Sequence, residues 1–167
     1  MKNINISYYN KNGVEYILGS FDGKLCLIDA IDGKNRVKNK NRLTKALKAE
    51  YVENEDSVLK QTAKELNEYF AGKRQEFDVP LLMVGSEFQK SVWEALLTIP
   101  YGKTSTYKQQ ATIIGNEKAV RAVANANGTN AISIIIPCHR IIGSDGSLTG
   151  YAGGLELKQR LLEIEKR

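Results

Sequence analysis

The segment from Ile134 to Ile142 places three polar residues, Cys138, His139 and Arg140, inside an otherwise apolar run. Aliphatic runs of this kind normally form buried strands. Burial of a cysteine is tolerated, but burial of a histidine and an arginine costs roughly several kcal/mol unless each is paired or reaches a cleft. We therefore expect the chain to turn out of the core at Pro137 and to present Cys138 on the wall of a pocket.

The neighbours of Cys138 favour a reactive thiol. His139 is the only histidine in the chain, and a nearby cation raises the thiolate fraction of a cysteine whose ordinary pKa is about 8.5. Adjacent residues on a strand point to opposite faces, so a proton relay between Cys138 and His139 needs a turn at Pro137 or a bridging water. A small buried cysteine followed by a satisfied histidine is the alternative, structural interpretation.

Composition narrows the class of protein. The chain has 167 residues and a formal net charge of +5, which suits either an acidic partner or an ordinary solvated surface. Two distant cysteines, Cys26 and Cys138, predict reduced thiols and a reducing, cytoplasmic compartment. A single histidine with two cysteines cannot build an ordinary structural zinc site. We expect no signal peptide and no spanning segment, because no apolar run of the necessary length is present.

The first part of the chain reads as strands, turns and one helix. Two strands, Val14–Ser20 and Lys24–Asp29, flank an Asp-Gly hairpin signal, and Cys26 is predicted to pack in the core. The basic, Asn-rich residues 34–42 predict a loop, with a DNA contact as the less favoured alternative. The remaining predictions are a helix over Asp56–Ala71 ended by Gly72, a strand over Phe77–Val84, and a domain boundary that separates residues 1–84 from residues 85–167.

The second part is predicted to be mainly helical. Ser86 can cap a helix that ends at Leu97, with Val92, Trp93, Leu96 and Leu97 facing inward. A second helix is expected from Thr104 or Ser105 to Ile113 or Ile114, and a third from its cap Asn116 to about Ala126. Two short helices joined at Gly115 have the form of a helix-turn-helix. The second helix of this motif, which begins at Asn116, is rich in small residues. Arg121 would project from it, with Lys118 one turn earlier to help hold phosphate.

A family resemblance follows from these motifs. The segment Ile136-Pro137-Cys138-His139-Arg140-Ile141-Ile142 resembles the active-site signature of the O6-alkylguanine-DNA alkyltransferases, the methylated-DNA–protein-cysteine methyltransferases. The resemblance is dense from Gly85 to Glu165 and loose before it. The other matching segments are Phe88-Gln89, Val92-Trp93, Leu96, Ile99-Pro100-Tyr101-Gly102, Thr106-Tyr107, Arg121-Ala122-Val123, Asn130, Gly150-Tyr151-Ala152-Gly153-Gly154-Leu155 and a helix that ends at Glu165.

The resemblance implies a fold and a reaction. The fold is α/β, with a small ribonuclease H-like N-terminal domain of sheet and helix and a C-terminal helical domain that carries a winged-helix or helix-turn-helix. The reaction is an irreversible, single-turnover transfer of the alkyl group from O6-alkylguanine in double-stranded DNA to Cys138. O4-methylthymine is a second candidate substrate. No metal and no organic cofactor is needed, and a monomer that makes no membrane contact is expected.

The resemblance also implies roles for individual residues. Glu165 matches a glutamate that holds His139, which draws the thiol proton through water, and Asn130 matches an asparagine that braces the active-site loop. Arg121 matches an arginine that enters the base stack when the target nucleotide is flipped into the protein from the minor groove. Tyr107 matches a tyrosine that crowds the target phosphate and donates a hydrogen bond to N3 of the base. Further DNA contacts are expected at Lys108, Asn116 and Ser144, and the substrate pocket at Tyr107, Tyr151 and Ala152.

Some positions depart from relatives of this family. Ala152 stands where some relatives have serine, so one hydrogen bond toward the base is expected to be missing. Ala131 and Ser133 replace prolines of some relatives, which would loosen the pocket wall and admit bulkier groups.

Three other functions fit part of the pattern. A cysteine hydrolase also combines cysteine, histidine and asparagine or glutamate, but it needs an oxyanion hole and an acyl substrate. A module that recognises alkylated DNA without repairing it would lack the cysteine, which this chain keeps at Cys138. A purely structural thiol domain is the third alternative.

Overall fold

The structure, a computed structural model, describes residues 2–166. The chain divides into two units, Met1–Val84 and Gly85–Arg167. None of the helices within residues 2–166 combines the length and the apolar character needed to cross a membrane.

A four-stranded sheet forms the centre of the N-terminal unit. Strands β1 (Lys2–Lys11), β2 (Val14–Phe21) and β3 (Lys24–Ala30) are antiparallel neighbours, and β4 (Ala49–Glu53) pairs with β1 in parallel, giving the order β3-β2-β1-β4. The predicted hairpin is confirmed, with Asp22 at φ 51° and Gly23 at φ 76°. Two consecutive positive φ values are what a tight two-residue hairpin turn requires. The prediction for Cys26 is also confirmed, because its side chain is buried in β3.

The loop predicted over residues 34–42 is wrong, because most of it belongs to helix α1 (Arg36–Leu47). Lysine, arginine, alanine and leucine are good helix formers, and their propensities outweigh the asparagines that suggested a loop. Leu43 and Asn39, one turn apart, are buried. The Asn39 amide donates to the Asp29 carboxylate at 3.0 Å, which ties α1 to the end of β3.

Helix α2 (Ser57–Phe70) confirms the one helix that was predicted in this unit. The Asp56 carboxylate caps it by accepting from the Leu59 amide, and Gly72 follows its end at φ 75°. The strand predicted over Phe77–Val84 is wrong, since only Leu81 forms a bridge there, to Leu25. Pro80 has no backbone N–H to donate, so the pairing cannot extend from Leu81 back toward Phe77.

The C-terminal unit consists mainly of helices. They are α3 (Glu87–Leu97), α4 (Tyr107–Ile113), α5 (Val120–Gly128) and α6 (Leu155–Ile164), together with the paired two-residue strands β5 (Ser105–Thr106) and β6 (Ile141–Ile142). Helix α3 confirms its prediction, including a Ser86–Gln89 capping box. Val92, Trp93 and Leu96 are buried, whereas Leu97 is 43% exposed, so its expected inward orientation is wrong.

The helix-turn-helix is present, but both of its helices begin later than predicted. Thr106, rather than Thr104 or Ser105, caps α4. Asn116 does not cap α5, because its carbonyl accepts from the Ala119 amide in a separate turn and the helix begins only at Val120. Residues 116–119, which were predicted to form the first turn of this helix, instead form a separate turn between Gly115 and α5.

Candidate active site

The approach to Cys138 is a buried turn rather than the expected strand. Residues 134–136 are buried, and Ile134 adopts φ 72°. The amide of Ile135 donates to Ser133 O at 2.8 Å, and that of Ile136 donates to Ile132 O at 3.0 Å. A β-branched residue at positive φ is strained by roughly 1–3 kcal/mol, and such strain is typical of functional sites.

The predicted turn at Pro137 is confirmed. A single 3-10 turn covers Cys138–Arg140, closed by a hydrogen bond from the Arg140 amide to Pro137 O at 3.0 Å. Cys138 is half-buried, whereas His139 is fully buried. The turn therefore separates the two side chains and leaves the thiol partly accessible. Cys26 differs from Cys138 in this respect, because burial raises the pKa of its thiol to about 12.

Asn130 lies against this turn. Its Nδ2 donates to Ile136 O at 2.8 Å and lies 3.4 Å from Cys138 Sγ, while its Oδ1 accepts from the Ile132 amide at 2.9 Å. The side chain is buried. One amide group thus satisfies two backbone groups of the turn and fixes the position of the sulfur.

His139 and Glu165 form a buried pair. The distance from His139 Nε2 to Glu165 Oε2 is 2.6 Å, and neither side chain is more than 1% exposed. Glu165 follows the last residue of α6, and the Tyr101 hydroxyl holds this end of the helix by donating to Ile164 O at 3.2 Å. The pairing expected from the resemblance is therefore present in the structure.

Arg140 completes the pair in a way that the sequence analysis missed. Its Nε and Nη2 donate to the two oxygens of Glu165 at 2.8 and 3.1 Å, and its Nη1 donates to Ile99 O at 2.7 Å. A forked pair of this kind is the strongest arrangement between arginine and a carboxylate. The cation expected to act on Cys138 instead binds the glutamate.

The electrostatic balance favours a neutral His139. Burial lowers its pKa below the ordinary value, Glu165 opposes this shift, and the charges of Arg140 and Lys158 reinforce it. Since a carboxylate accepts at Nε2, the proton lies on that nitrogen and Nδ1 keeps a lone pair. Nδ1 is buried and has no hydrogen-bond partner within residues 2–166. The ring can therefore accept a proton at Nδ1.

Tyr107 and residues 149–152 form a second cluster of expected site residues in this unit. The Tyr107 hydroxyl lies 3.4 Å from both Thr149 O and Gly150 O, and burial raises its pKa. Tyr151 and Ala152, the other expected pocket residues, are half-buried in the next turn. The structure thus places all three expected pocket residues on or beside one segment.

Lys158 is a second residue that the sequence analysis missed. Its side chain is fully buried and its Nζ donates to Thr149 O at 2.6 Å. Burial lowers the pKa of this amine, and the charge of Cys138 opposes that shift. The spacing of Lys158, Leu161 and Glu165 along α6 places them on one helical face, which is a signal that could have identified a buried lysine.

The expected DNA contacts are on the surface of the C-terminal unit. Arg121 is exposed in the first turn of α5, and the other predicted contacts, Lys108, Asn116 and Ser144, are exposed as well. A buried amide pair joins α4 to α5, because Gln110 and Asn127 donate to each other at 2.8 Å in both directions. The two helices are therefore held in a fixed register.

Comparison with known proteins agrees with this geometry. Residues 16–83 match the family model of the 6-O-methylguanine DNA methyltransferase ribonuclease-like domain, and residues 87–167 match that of its DNA-binding domain. A methylated-DNA–protein-cysteine methyltransferase of Methanosarcina barkeri is 48% identical over 139 residues, which cover 83% of this chain and 82% of that protein. The crystal structure of Mycobacterium tuberculosis OGT in complex with DNA has a TM-score of 0.80 and 38% identity, covering 98% of this chain and 92% of that chain.

Proposed function

The chain belongs to the 6-O-methylguanine DNA methyltransferase family, the methylated-DNA–protein-cysteine methyltransferases, and on that premise we propose that it repairs O6-alkylguanine in double-stranded DNA by transferring the alkyl group to Cys138. The observation that carries the proposal is the buried His139–Glu165 pair behind a half-buried thiol. This arrangement supplies a base next to a nucleophile that a flipped base can reach.

The first step is deprotonation of the thiol. The proton of Cys138 passes through a water to Nδ1 of His139, while Nε2–H remains hydrogen-bonded to Glu165 at 2.6 Å. The imidazolium that forms is stabilised by the Glu165 carboxylate. Arg140 holds that carboxylate in place from the other side.

The second step is an in-line displacement. The Cys138 thiolate forms a bond to the alkyl carbon, the bond from that carbon to O6 breaks, and the electron pair leaves on guanine. A hydrogen bond from the Tyr107 hydroxyl to N3 of guanine stabilises the departing anion. The thioether product does not hydrolyse, so each molecule reacts once, and this route requires no metal or organic cofactor.

The surrounding residues position the reacting groups. Asn130 fixes the sulfur through its bonds to the turn, and Tyr151 and Ala152 form the pocket wall. Ala131 and Ser133, where some relatives have prolines, loosen the pocket wall and admit alkyl groups larger than methyl. O4-methylthymine is the second substrate that such a pocket would admit.

DNA binding is assigned to the C-terminal unit, residues 85–167. Arg121 enters the base stack from the minor groove and fills the space of the flipped nucleotide, whose extrusion costs roughly a few kcal/mol. Tyr107 crowds the target phosphate, and Lys108, Asn116 and Ser144 contact the backbone. The exposure of Arg121, Lys108, Asn116 and Ser144 supports these roles.

The cellular setting follows from the same chemistry. Neither Cys26 nor Cys138 is in a disulfide, and a nucleophilic thiol needs a reducing environment, so we place the protein in the cytoplasm. A monomer is sufficient, because all the assigned site residues lie in one unit of one chain. Residues 1–84 form a separate N-terminal domain in this assignment.

Intact-mass measurement after incubation with a duplex that carries one O6-methylguanine tests the proposal. We expect a stoichiometric gain of one methyl group, mapped by peptide analysis to Cys138, absent in Cys138→Ser and retained in Cys26→Ala. Tight binding to the lesion without a mass change would instead indicate a damage-recognition module. Repeated turnover of an acyl substrate without any alkylation would indicate a thiol hydrolase.

A further inference from the structure

Basic residues of the N-terminal unit are concentrated in one segment. Residues 34–48 contain seven lysines and arginines and no acidic residue, whereas the rest of residues 1–84 contains seven basic and twelve acidic residues. The net charge of this unit is therefore small because residues 34–48 are strongly positive and the other residues are negative on balance. This segment is helix α1 with one lysine before it and one after it.

The positive side chains of α1 are presented outward. Lys38, Asn41 and Lys45 are exposed and follow each other at intervals of three and four residues, which places them on one side of the helix. Lys34 is exposed in the turn that precedes the helix. None of the three lysines forms an ion pair with a carboxylate of the described residues 2–166. The exposed charges are therefore available to an external partner.

The inner side of α1 is fixed to the sheet. Leu43 is fully buried, and Asn39 is buried with its amide bonded to Asp29 at 3.0 Å. On another edge of the helix, Arg42 Nε donates to Val84 O at 3.0 Å, and Lys40 lies 5.0 Å above the Tyr51 ring. Because these contacts hold the backbone of α1, the outer lysines form a row on a fixed backbone.

We propose that this row, Lys34, Lys38 and Lys45 with Asn41, is a second DNA-contact surface that binds the phosphate backbone independently of the helix-turn-helix. Lysines bind phosphates through charge, and an asparagine amide can donate to a phosphate oxygen. A membrane-surface helix would instead need a broad apolar face beside its charges. Here the buried Leu43 faces the sheet, and Val37, 61% exposed, is the one large apolar side chain of α1 among the exposed residues.

This inference rests on the proposed function, because DNA is the polyanion that the repair reaction brings to the chain. The lysine row would affect the affinity for DNA and the search for damaged bases, and it would not affect the methyl-transfer step. A contact outside the reactive unit would strengthen binding to DNA of any sequence, which suits a protein that must find rare damaged bases.

The test compares two triple variants of the full chain. Lys34→Gln/Lys38→Gln/Lys45→Gln removes the row, and Lys60→Gln/Lys64→Gln/Lys73→Gln removes three other exposed lysines of the same unit, so the change in net charge is matched. Affinity for a long undamaged duplex is measured at several salt concentrations. Methyl transfer at saturating damaged duplex and the thermal midpoint are measured in parallel.

We expect the row variant to bind about tenfold or more weakly near 0.1 M salt, with the slope of log K against log salt reduced by about 1 for each phosphate that the row no longer neutralises. The matched variant should keep the wild-type slope, and both variants should transfer methyl at the wild-type saturated rate.

Equal slopes in the two variants would overturn the inference while leaving the repair activity intact. Loss of binding to anionic phosphatidylserine vesicles, with unchanged DNA affinity, would assign the row to a lipid surface instead. Failure of the wild-type chain to methylate Cys138 would contradict the proposed function itself.

Discussion

Glu165 binds His139 at 2.6 Å although 26 positions separate them in the chain, and the same carboxylate accepts a fork of hydrogen bonds from Arg140. The negative charge of Glu165 is therefore shared between a fixed cation and a titratable ring. Because Arg140 already balances that charge, His139 can remain neutral in a fully buried position. A neutral ring is the form that can accept the thiol proton.

Replacing Glu165 with glutamine should destabilise the protein and slow transfer. The change leaves the Arg140 guanidinium buried without its counter-charge, and breaking a buried ion pair in this way costs about 3–5 kcal/mol. Urea unfolding should show this loss, and single-turnover methyl transfer should also slow because the imidazolium loses its stabilising charge. Glu163→Gln is the matched control, since Glu163 is exposed two residues earlier, and it should change neither quantity. Equal stability of the two variants would contradict the paired arrangement.

His139 should make the stability of the protein depend on pH near neutrality. Its pKa is lowered in the folded state by burial, whereas in the unfolded chain it returns to about 6.5. As the pH falls through about 6.5, the unfolded state takes up a proton that the folded state does not, so the free energy of unfolding should fall by up to about 1.4 kcal/mol per pH unit.

This slope can be assigned to one residue. His139 is the only histidine in the chain, so His139→Gln should remove the dependence between about pH 7 and pH 5.5 when unfolding by urea is measured across that range. A wild-type stability that stays constant over the same range would show that the pKa of His139 is the same in the folded and unfolded states, and a stability that rises as the pH falls would show that His139 is protonated in the folded protein.

Arg121→Ala should separate DNA handling from chemistry. Arg121 is exposed, so the thermal midpoint should not change. Transfer from O6-methylguanine in a duplex should slow about 10- to 100-fold, because part of the extrusion cost of a few kcal/mol is no longer offset. Transfer from the free O6-methylguanine nucleoside should be unchanged, and Arg160→Ala on α6 should affect neither substrate. An equal loss with both substrates would place Arg121 in the reaction itself.

Lys158→Met should slow methyl transfer while changing the free energy of unfolding only slightly. The methionine keeps an unbranched apolar stem and removes a buried charge, so the free energy of unfolding should change by less than about 1.5 kcal/mol. The hydrogen bond to Thr149 O at 2.6 Å is removed, and the segment that carries Gly150 and Tyr151 should become mobile. We expect single-turnover transfer to slow about tenfold and hydrogen exchange in residues 148–152 to quicken, whereas Lys166→Met, an exposed change, should do neither.

Local signals in the sequence predicted several elements of the fold. The Asp22-Gly23 hairpin, the end of α2 before Gly72 and the Ser86 cap of α3 are confirmed, because each depends on residues only two to four positions apart. The errors arose where local preferences compete. Asparagines suggested a loop where lysines, arginines and leucines form α1. The isoleucines before Cys138 suggested a strand where their amides donate within a turn instead.

The sequence by itself determined the reactive motif. Pro137 turns the chain, and Cys138 and His139 directly follow it. Only the tertiary structure decided what surrounds them. Arg140 binds Glu165 rather than the thiol, and Lys158 is buried against Thr149, because the end of α6 packs onto the Cys138 turn. A charged side chain acts through its nearest partners in space, and the partner of Arg140 lies 25 positions away in the sequence.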